Sequence, residues 1–315
     1  MPPPPHRPGV LAWQVFRGSD AIRQGLVTEH QLRSSAWLRL RHDVYADARL
    51  DRDHTLACRA AALRLPPEAI VAGPSAAYLH GVGHAASFTD DVHVLAPRAM
   101  RLNPQRGLRV HSTGPATSPS WPPARARGAS GGPGVPASTD PAAAAWETAV
   151  WLEPLRAVGI VDSLLRQGLT SRAALVEVAA RNADRPGGRR ARWVFGLTDP
   201  GARSPAESEL RVRLVLGGLP RPAAQHPIRV AAGLLLHADL AWPAYRVAVT
   251  HDGWQQAEAD SGQHAEADSP HLDRIARLVG AGWLVLPVTG RRLRQDFPGV
   301  LCEVRAALAG RGWRP

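Results

Sequence analysis

The residues best placed to do chemistry lie in LLLHADLAWPAYRVAVTHDG, from Leu234 to Gly253. Asp239 closes one apolar run, Trp242-Pro243 makes a corner, and a second apolar run extends from Tyr245 to Thr250, just before Asp252. Read as two paired strands, positions i and i+2 share a face. Thr250 and Asp252 then point the same way, and close pairing brings both towards Asp239. Gathered carboxylates suit Mg²⁺, a hard cation that prefers oxygen ligands. Such a metal activates water and neutralises charge building on a phosphate. Each acid also has a plainer reading. Asp239 ends an apolar strand and is costly to bury unless paired or bound to metal, whereas Asp252 before Gly253 can be a turn residue.

The elements that must position these residues read as α-β-β-α-β-α. Ser204-Pro205 opens a helix, SPAESELRVRLVLGG, with Leu210, Leu214 and Val215 inward and Gly217-Gly218 as its stop. After the strand pair, residues 257–268 form a polar loop. Ser269-Pro270 then caps a helix whose Leu272, Ile275, Ala276 and Val279 recur at i, i+3, i+4 and i+7. Gly282 ends it, WLVLPVT is a buried strand, and GVLCEVRAALAGRGW is a closing helix.

At the other end, residues 1–10 are Pro-rich and read as a disordered tail. Ser19 can cap a short helix, SDAIRQ, stopped by Gly25. Thr28 with Gln31 is a capping box opening a second helix, TEHQLRSS. Strand, turn and strand follow from Leu38 to Ala46. This order predicts a winged helix-turn-helix whose second helix presents Glu29, His30, Arg33 and Ser34 to a major groove. Arg39 and Arg41 on the wing would meet phosphates, which position a protein without specifying sequence.

Between these ends, DRDHTLACRAAALRL is an Ala-rich helix, Ala69–Ala72 a strand, SAAYLHG a Ser75-capped helix, and DVHVLAP and GLRVHST two further strands. His80, His84, His93 and His111 lack the paired spacing of zinc ligands and read as structural. Residues 114–141 form a Pro/Gly-rich loop. Helix resumes in WETAVWLEPLRAVGIVDSLLRQG, with Glu147 and Asp162 as surface or capping groups. The expected organisation is a tail over 1–10, a winged helix-turn-helix over 11–50, a middle α+β domain over 51–190 and an α/β core over 191–315.

The 315 residues are 44% hydrophobic and include ten Trp, enough for several cores, so a disordered chain is excluded. The formal charge of +11 is carried by Arg, whose planar fork suits phosphate. A GC-rich genome also enriches Arg, so charge alone leaves nucleic-acid binding open. Cys58 and Cys302 lie far apart without metal spacing, as in a reducing cytoplasm. The expected location is cytoplasmic, with no signal peptide and no membrane span.

Two resemblances cover nearly the whole chain. GSDAIRQGLVTEHQLRSSAWLRLRHDVYADA with VAGPSAAYLHGV resembles the N-terminal half of the abortive-infection type IV antitoxins. That likeness implies a DNA-binding regulator and, as a partner, a cognate toxin of nucleotidyltransferase type. SPAESELRVRL…GLPRPAAQ…ADLAWPAYRVAVTHDG…LDRIARLVGAGWLVLPVT…RGW is similar to domains of unassigned function grouped with the very short patch repair endonucleases. It implies a restriction-endonuclease-like core of PD-(D/E)xK type, with Mg²⁺ as cofactor and Glu207, Asp239 and Asp252 as catalytic and metal-holding candidates. Glu207 has an alternative in an ordinary helix-surface ion pair with Arg211 at i+4. Relatives usually read E-x-D-G with a His soon after; here the run is Thr250-His251-Asp252-Gly253, and Gln256 stands near the His position. The very short patch enzymes carry Thr-His-Gly there and bind metal partly through main-chain oxygen, but they also use downstream histidines, for which His264 is the nearby residue. Thr250 therefore marks a vestigial position. A degenerate nuclease fold in a DNA-binding regulator is the favoured expectation, with an active Mg²⁺-dependent endonuclease and a toxin-neutralising interaction module as alternatives.

Overall fold

The computed structural model describes residues 6–97, 105–113, 125–126, 135–230, 233–252 and 268–314. It is a mixed α/β protein, with eleven α-helices and three sheets among the described residues. Two compact units are present: 1–151 with 169–185, and 152–168 with 186–315. Among the described residues no helix is long and apolar enough to cross a membrane.

The first unit begins with β1 (Val15–Arg17), α1 (Gly18–Arg23), β2 (Trp37–Arg41) and β3 (Val44–Asp47), the strands forming an antiparallel sheet in the order β1-β3-β2. Phe16 meets Trp37 edge-on at 5.1 Å over a small core with Leu11, Val27 and Leu32. The expected second helix is a single 3₁₀ turn, Gln31–Arg33. Its capping box does form, with the Thr28 N–H donating to Gln31 Oε1 at 2.8 Å and the Gln31 N–H to Thr28 Oγ1 at 3.2 Å. Only Leu32 of that turn is buried, and Trp37 is already claimed by pairing with β3, so nothing sustains a longer helix. Ser19 is not a cap; its hydroxyl and N–H both donate to Asp43 at 2.7 Å. Residues 1–5 of the expected tail lie outside the described residues, but Arg7 is anchored, its Nε 3.4 Å from Asp47.

Next come α2 (His54–Ala62), β4 (Ile70–Val71), α3 (Gly73–Leu79), β5 (Val92–Pro97), β6 (Leu108–Thr113), β7 (Arg125–Ala126), β8 (Ser138–Thr139) and α4 (Pro141–Trp151). The strands form a sheet in the order β6-β5-β4-β8-β7. Most of the expected 114–141 loop lies outside the described residues. Ser75 is buried inside α3 rather than capping it, and its Oγ meets His54 Nε2 at 2.8 Å. Three of the four histidines make internal contacts: His80 Nε2 lies 2.8 Å from the Thr139 carbonyl, and His111 stacks on Trp151 at 3.4 Å while contacting His93 at 3.0 Å; His84 is exposed. Glu147, expected as a surface or capping group, is buried in α4, where it accepts the N–H of Gly73, the first residue of α3, at 2.7 Å and the Thr139 hydroxyl at 2.9 Å.

Helix α5 (Pro154–Arg166) belongs to the second unit, and α6 (Arg172–Arg181) to the first. Asp162 of α5 is also buried rather than exposed. The second unit continues with α7 (Gly188–Leu197), α8 (Pro205–Leu216), β9 (Ala223–Arg229), β10 (Leu235–Trp242), β11 (Val247–Asp252), α9 (Asp268–Gly280), β12 (Leu284–Thr289), α10 (Gly290–Gln295) and α11 (Phe297–Gly310). Its sheet runs β12-β11-β10-β9, with β11 and β12 parallel and the other pairs antiparallel. Leu210, Leu214, Leu240, Val249, Val300 and Leu308 form its main core. The helix α9 turns differently from expectation: Leu278 is fully buried, while Leu272 and Val279 are 61% and 52% exposed. The polar stretch 257–267, with His264, lies outside the described residues, as does Gln256.

Candidate functional site

Helix α8 delivers Glu207 by its own N-terminal chemistry. Ser204 is the cap, with its Oγ accepting the Glu207 N–H at 3.2 Å, and Pro205 occupies the first turn. Glu207 reaches back, its Oε2 accepting the Arg203 N–H at 3.0 Å. This reciprocal capping fixes a carboxylate that is almost wholly buried. The expected Arg211 pairing is absent. Arg211 instead lies fully buried against Asp162, with Nη2 to Oδ2 at 2.7 Å, because that carboxylate has no other cation to answer it among the described residues.

Strand β10 delivers Asp239. The register Leu240↔Val249 sets Asp239 opposite Thr250 on β11, and Asp239 Oδ2 accepts the His251 N–H at 2.8 Å. On its other side lies Gln225 of β9, which keeps a positive φ between the pairs Ala238↔His226 and Leu240↔Ala224 of an unbroken register. The Gln225 amide Nε2 donates to Glu207 Oε2 at 3.0 Å and to Asp239 Oδ1 at 3.2 Å. Arg274 of α9 adds a guanidinium 3.3 Å from Asp239 Oδ1 and also donates to the His237 carbonyl.

Glu207 and Asp239 thus converge on one nitrogen. Burial pushes the Glu207 carboxyl upward and Asp239 adds to it, against the Arg203 N–H, the Gln225 amide and the Ser204 hydroxyl. Thr250 is fully buried with its Oγ1 unbonded, and Gln225 Oε1 is likewise buried and unbonded. Two carboxylates and two spare neutral oxygens are a donor set suited to a hard cation such as Mg²⁺. In this arrangement the Gln225 amide stands between the two acids. Asp252 ends β11 beside Thr289, and its side chain lies outside the described residues. Among the described residues no three His, Cys, Asp or Glu side chains cluster as a metal site.

Gln225 and Arg274 were not legible as site residues. Pro227 within AAQHPIR argues against a strand, yet β9 is an edge strand, where proline is tolerated. Arg274 sat one residue before the apolar Ile275, and only the rotation of α9 brings it to Asp239.

The residues expected to meet DNA separate into two groups. His30, Arg33 and Arg39 are exposed, with Arg33 3.9 Å from Glu29, and Ser34 is half-buried. Arg41 is turned inward by a bulge between Arg39 and Arg41. Its guanidinium donates to the carbonyls of Arg106 at 3.0 Å and Gly107 at 2.7 Å.

No family model matches the chain. Two Mycobacterium tuberculosis proteins are similar to it: uncharacterized protein MT2308 of strain CDC 1551 and uncharacterized protein Rv2248 of strain H37Rv. Each is 30% identical over 275 residues, spanning 86% of this chain and 92% of the relative. At that identity and coverage, the chain belongs to the same family as these two mycobacterial proteins.

Proposed function

We propose that the protein is a DNA-binding regulator of type IV antitoxin-like organisation, carrying a restriction-endonuclease-like core whose cutting site is degenerate. The observation that carries this reading is the Gln225 amide donating to both Glu207 and Asp239, with Arg274 beside the latter. Charge that a metal would neutralise is already answered by the protein, and Thr250 supplies no third carboxylate. A chain of net charge +11 with exposed His30, Arg33 and Arg39 retains the means to hold a phosphate backbone. A mobility-shift assay with a duplex from upstream of its own gene tests the reading. Retardation that weakens with salt, and weakens across all sequences in Arg39→Gln, is expected; no shift with any duplex at low salt overturns it.

A second reading, a Mg²⁺-dependent DNA endonuclease, is favoured by the unbonded Thr250 Oγ1 and Gln225 Oε1 beside the two acids. Plasmid incubated with Mg²⁺ or Mn²⁺ decides it. Cleavage lost in Asp239→Ala supports the enzyme, and equal cleavage by parent and variant marks a contaminant.

A further inference from the structure

We infer that a cleft in the first unit, walled by Arg41, Arg64 and Arg106, binds a phosphate-bearing anion. Its volume is about 770 Å³, within the range of pockets that take small ligands. Three arginines line it, with His42, Phe88 and a single acid, Asp90. Elsewhere in this unit several arginines find carboxylates, as Arg49 does with Asp47 at 2.6 Å and Arg109 with Asp91 at 3.2 Å. Among the described residues, Arg41, Arg64 and Arg106 have no carboxylate within ion-pair distance. Asp90 is engaged by the Ser87 N–H at 2.8 Å.

The cleft is also built rather than incidental. Arg41 is held by the two carbonyls of Arg106 and Gly107, and Arg64 by the His42 carbonyl at 2.9 Å. Gly107 has φ +74°, and a Cβ there would sit 3.3 Å from the Arg41 Nη2, so the small residue lets the guanidinium lie close to the backbone. Burial, with Arg64 nearby, lowers the Arg41 pKa below the usual guanidinium value, although Cys58 and Asp91 oppose this. A bound anion would offset the cost of burying that charge. The guanidinium groups of Arg41 and Arg64, held in place, suit phosphate oxygens in shape and charge, and Phe88 offers a half-buried aromatic wall. The phosphate can belong to a nucleic-acid backbone or to a free phosphorylated compound. The inference requires neither DNA contacts by His30, Arg33 and Arg39 nor a metal at Glu207.

The test titrates the full chain with inorganic phosphate and ADP by calorimetry against chloride at matched ionic strength, and with a labelled duplex by anisotropy. Saturable phosphate or ADP binding, weakened roughly tenfold in Arg64→Gln/Arg106→Gln and unchanged in the charge-matched Arg311→Gln/Arg314→Gln, is expected. Circular dichroism of both variants should match the parent. Parallel loss of duplex binding in the cleft variant assigns the phosphate to a nucleic-acid backbone, and retained duplex binding assigns it to a free compound. The inference is overturned if phosphate and ADP show no saturable binding, or if the control variant weakens binding as much as the cleft variant does.

Discussion

Gln225 and Asp239 face each other across adjacent strands, the amide Nε2 3.2 Å from Oδ1, while Gln225 keeps a backbone φ of +50°. That conformation costs a residue with a Cβ about 1 kcal/mol, and it falls at the residue whose amide reaches both acids. The same nitrogen holds Glu207, so one neutral donor offsets repulsion between two nearly buried acids. The strain and the hydrogen bonds belong to a single device.

Replacing Gln225 with Ala keeps the strained backbone and removes the donor. Both acids lose a hydrogen bond and face each other directly, which should destabilise the second unit by about 1–3 kcal/mol. Urea unfolding in EDTA measures this, and Gln225→Gly separates relief of strain from loss of the amide. Under the endonuclease reading, millimolar Mg²⁺ recovers part of the loss. A Gln225→Ala protein as stable as the parent in EDTA would show that the amide does not hold the acids.

Asp162 and Arg211 form a second dependent pair. Burial pushes the Asp162 carboxyl upward, while Arg211, the Asp199 N–H and the Ser208 hydroxyl pull it back. Asp162→Leu leaves a buried guanidinium unanswered and should cost about 3–5 kcal/mol. The double variant Asp162→Leu/Arg211→Met should recover most of that loss, because removing both charges also removes both desolvation costs. A double-mutant cycle in urea reads the coupling, and additive losses would exclude it.

The sequence made legible what depends on local pattern. Apolar runs marked β10, β11 and β12, Ser204-Pro205 marked the start of α8, and the strand pairing placed Asp239 beside Thr250. It did not show which partner each buried charge would choose. Glu207 and Arg211 sit at pairing distance along a helix, yet Glu207 turns to Gln225 and Arg211 to Asp162, a residue 49 positions away. Glu147 looked like a surface residue for the same reason: its partners, Gly73 and Thr139, come from other elements. The bulge between Arg39 and Arg41 was not legible either, and it takes Arg41 off the face it would share with Arg39, since one extra residue reverses the facing of a strand.

The stacked histidines should make the first unit acid-sensitive. Burial, with His111 and Arg109 adding, pushes His93 down to about 3. Burial and Arg109 push His111 down to about 4. Both are therefore neutral in the fold but protonate near 6.5 once unfolded. As pH falls below about 6.5 the unfolded chain takes up protons that the fold refuses, so stability drops towards pH 4. His111→Phe keeps a ring on Trp151 and removes one titration. Relative to the parent, the variant should gain roughly 2–3 kcal/mol as pH falls from 7 to 4, read from urea midpoints of both proteins so that Glu147 cancels, and a difference that stays constant with pH would remove His111 as a cause.

Glu147 works in the opposite direction. Complete burial, helped by Asp140, pushes its carboxyl up to about 8, against the Gly73 N–H and the Thr139 hydroxyl. Between an unfolded value near 4.5 and this folded value, the fold holds a proton that the unfolded chain releases. Its contribution is therefore fullest below about pH 4.5, declines as pH rises to about 8, and is constant beyond. Glu147→Gln keeps an oxygen to accept from Gly73 and Thr139 but cannot ionise. Relative to the parent, the variant should gain roughly 3–5 kcal/mol between pH 5 and pH 8.5. Urea midpoints of both proteins at the two pH values measure the gain. Because the difference is taken between proteins sharing His93 and His111, the histidine titrations cancel, and a difference that stays constant with pH would show that Glu147 is ionised throughout.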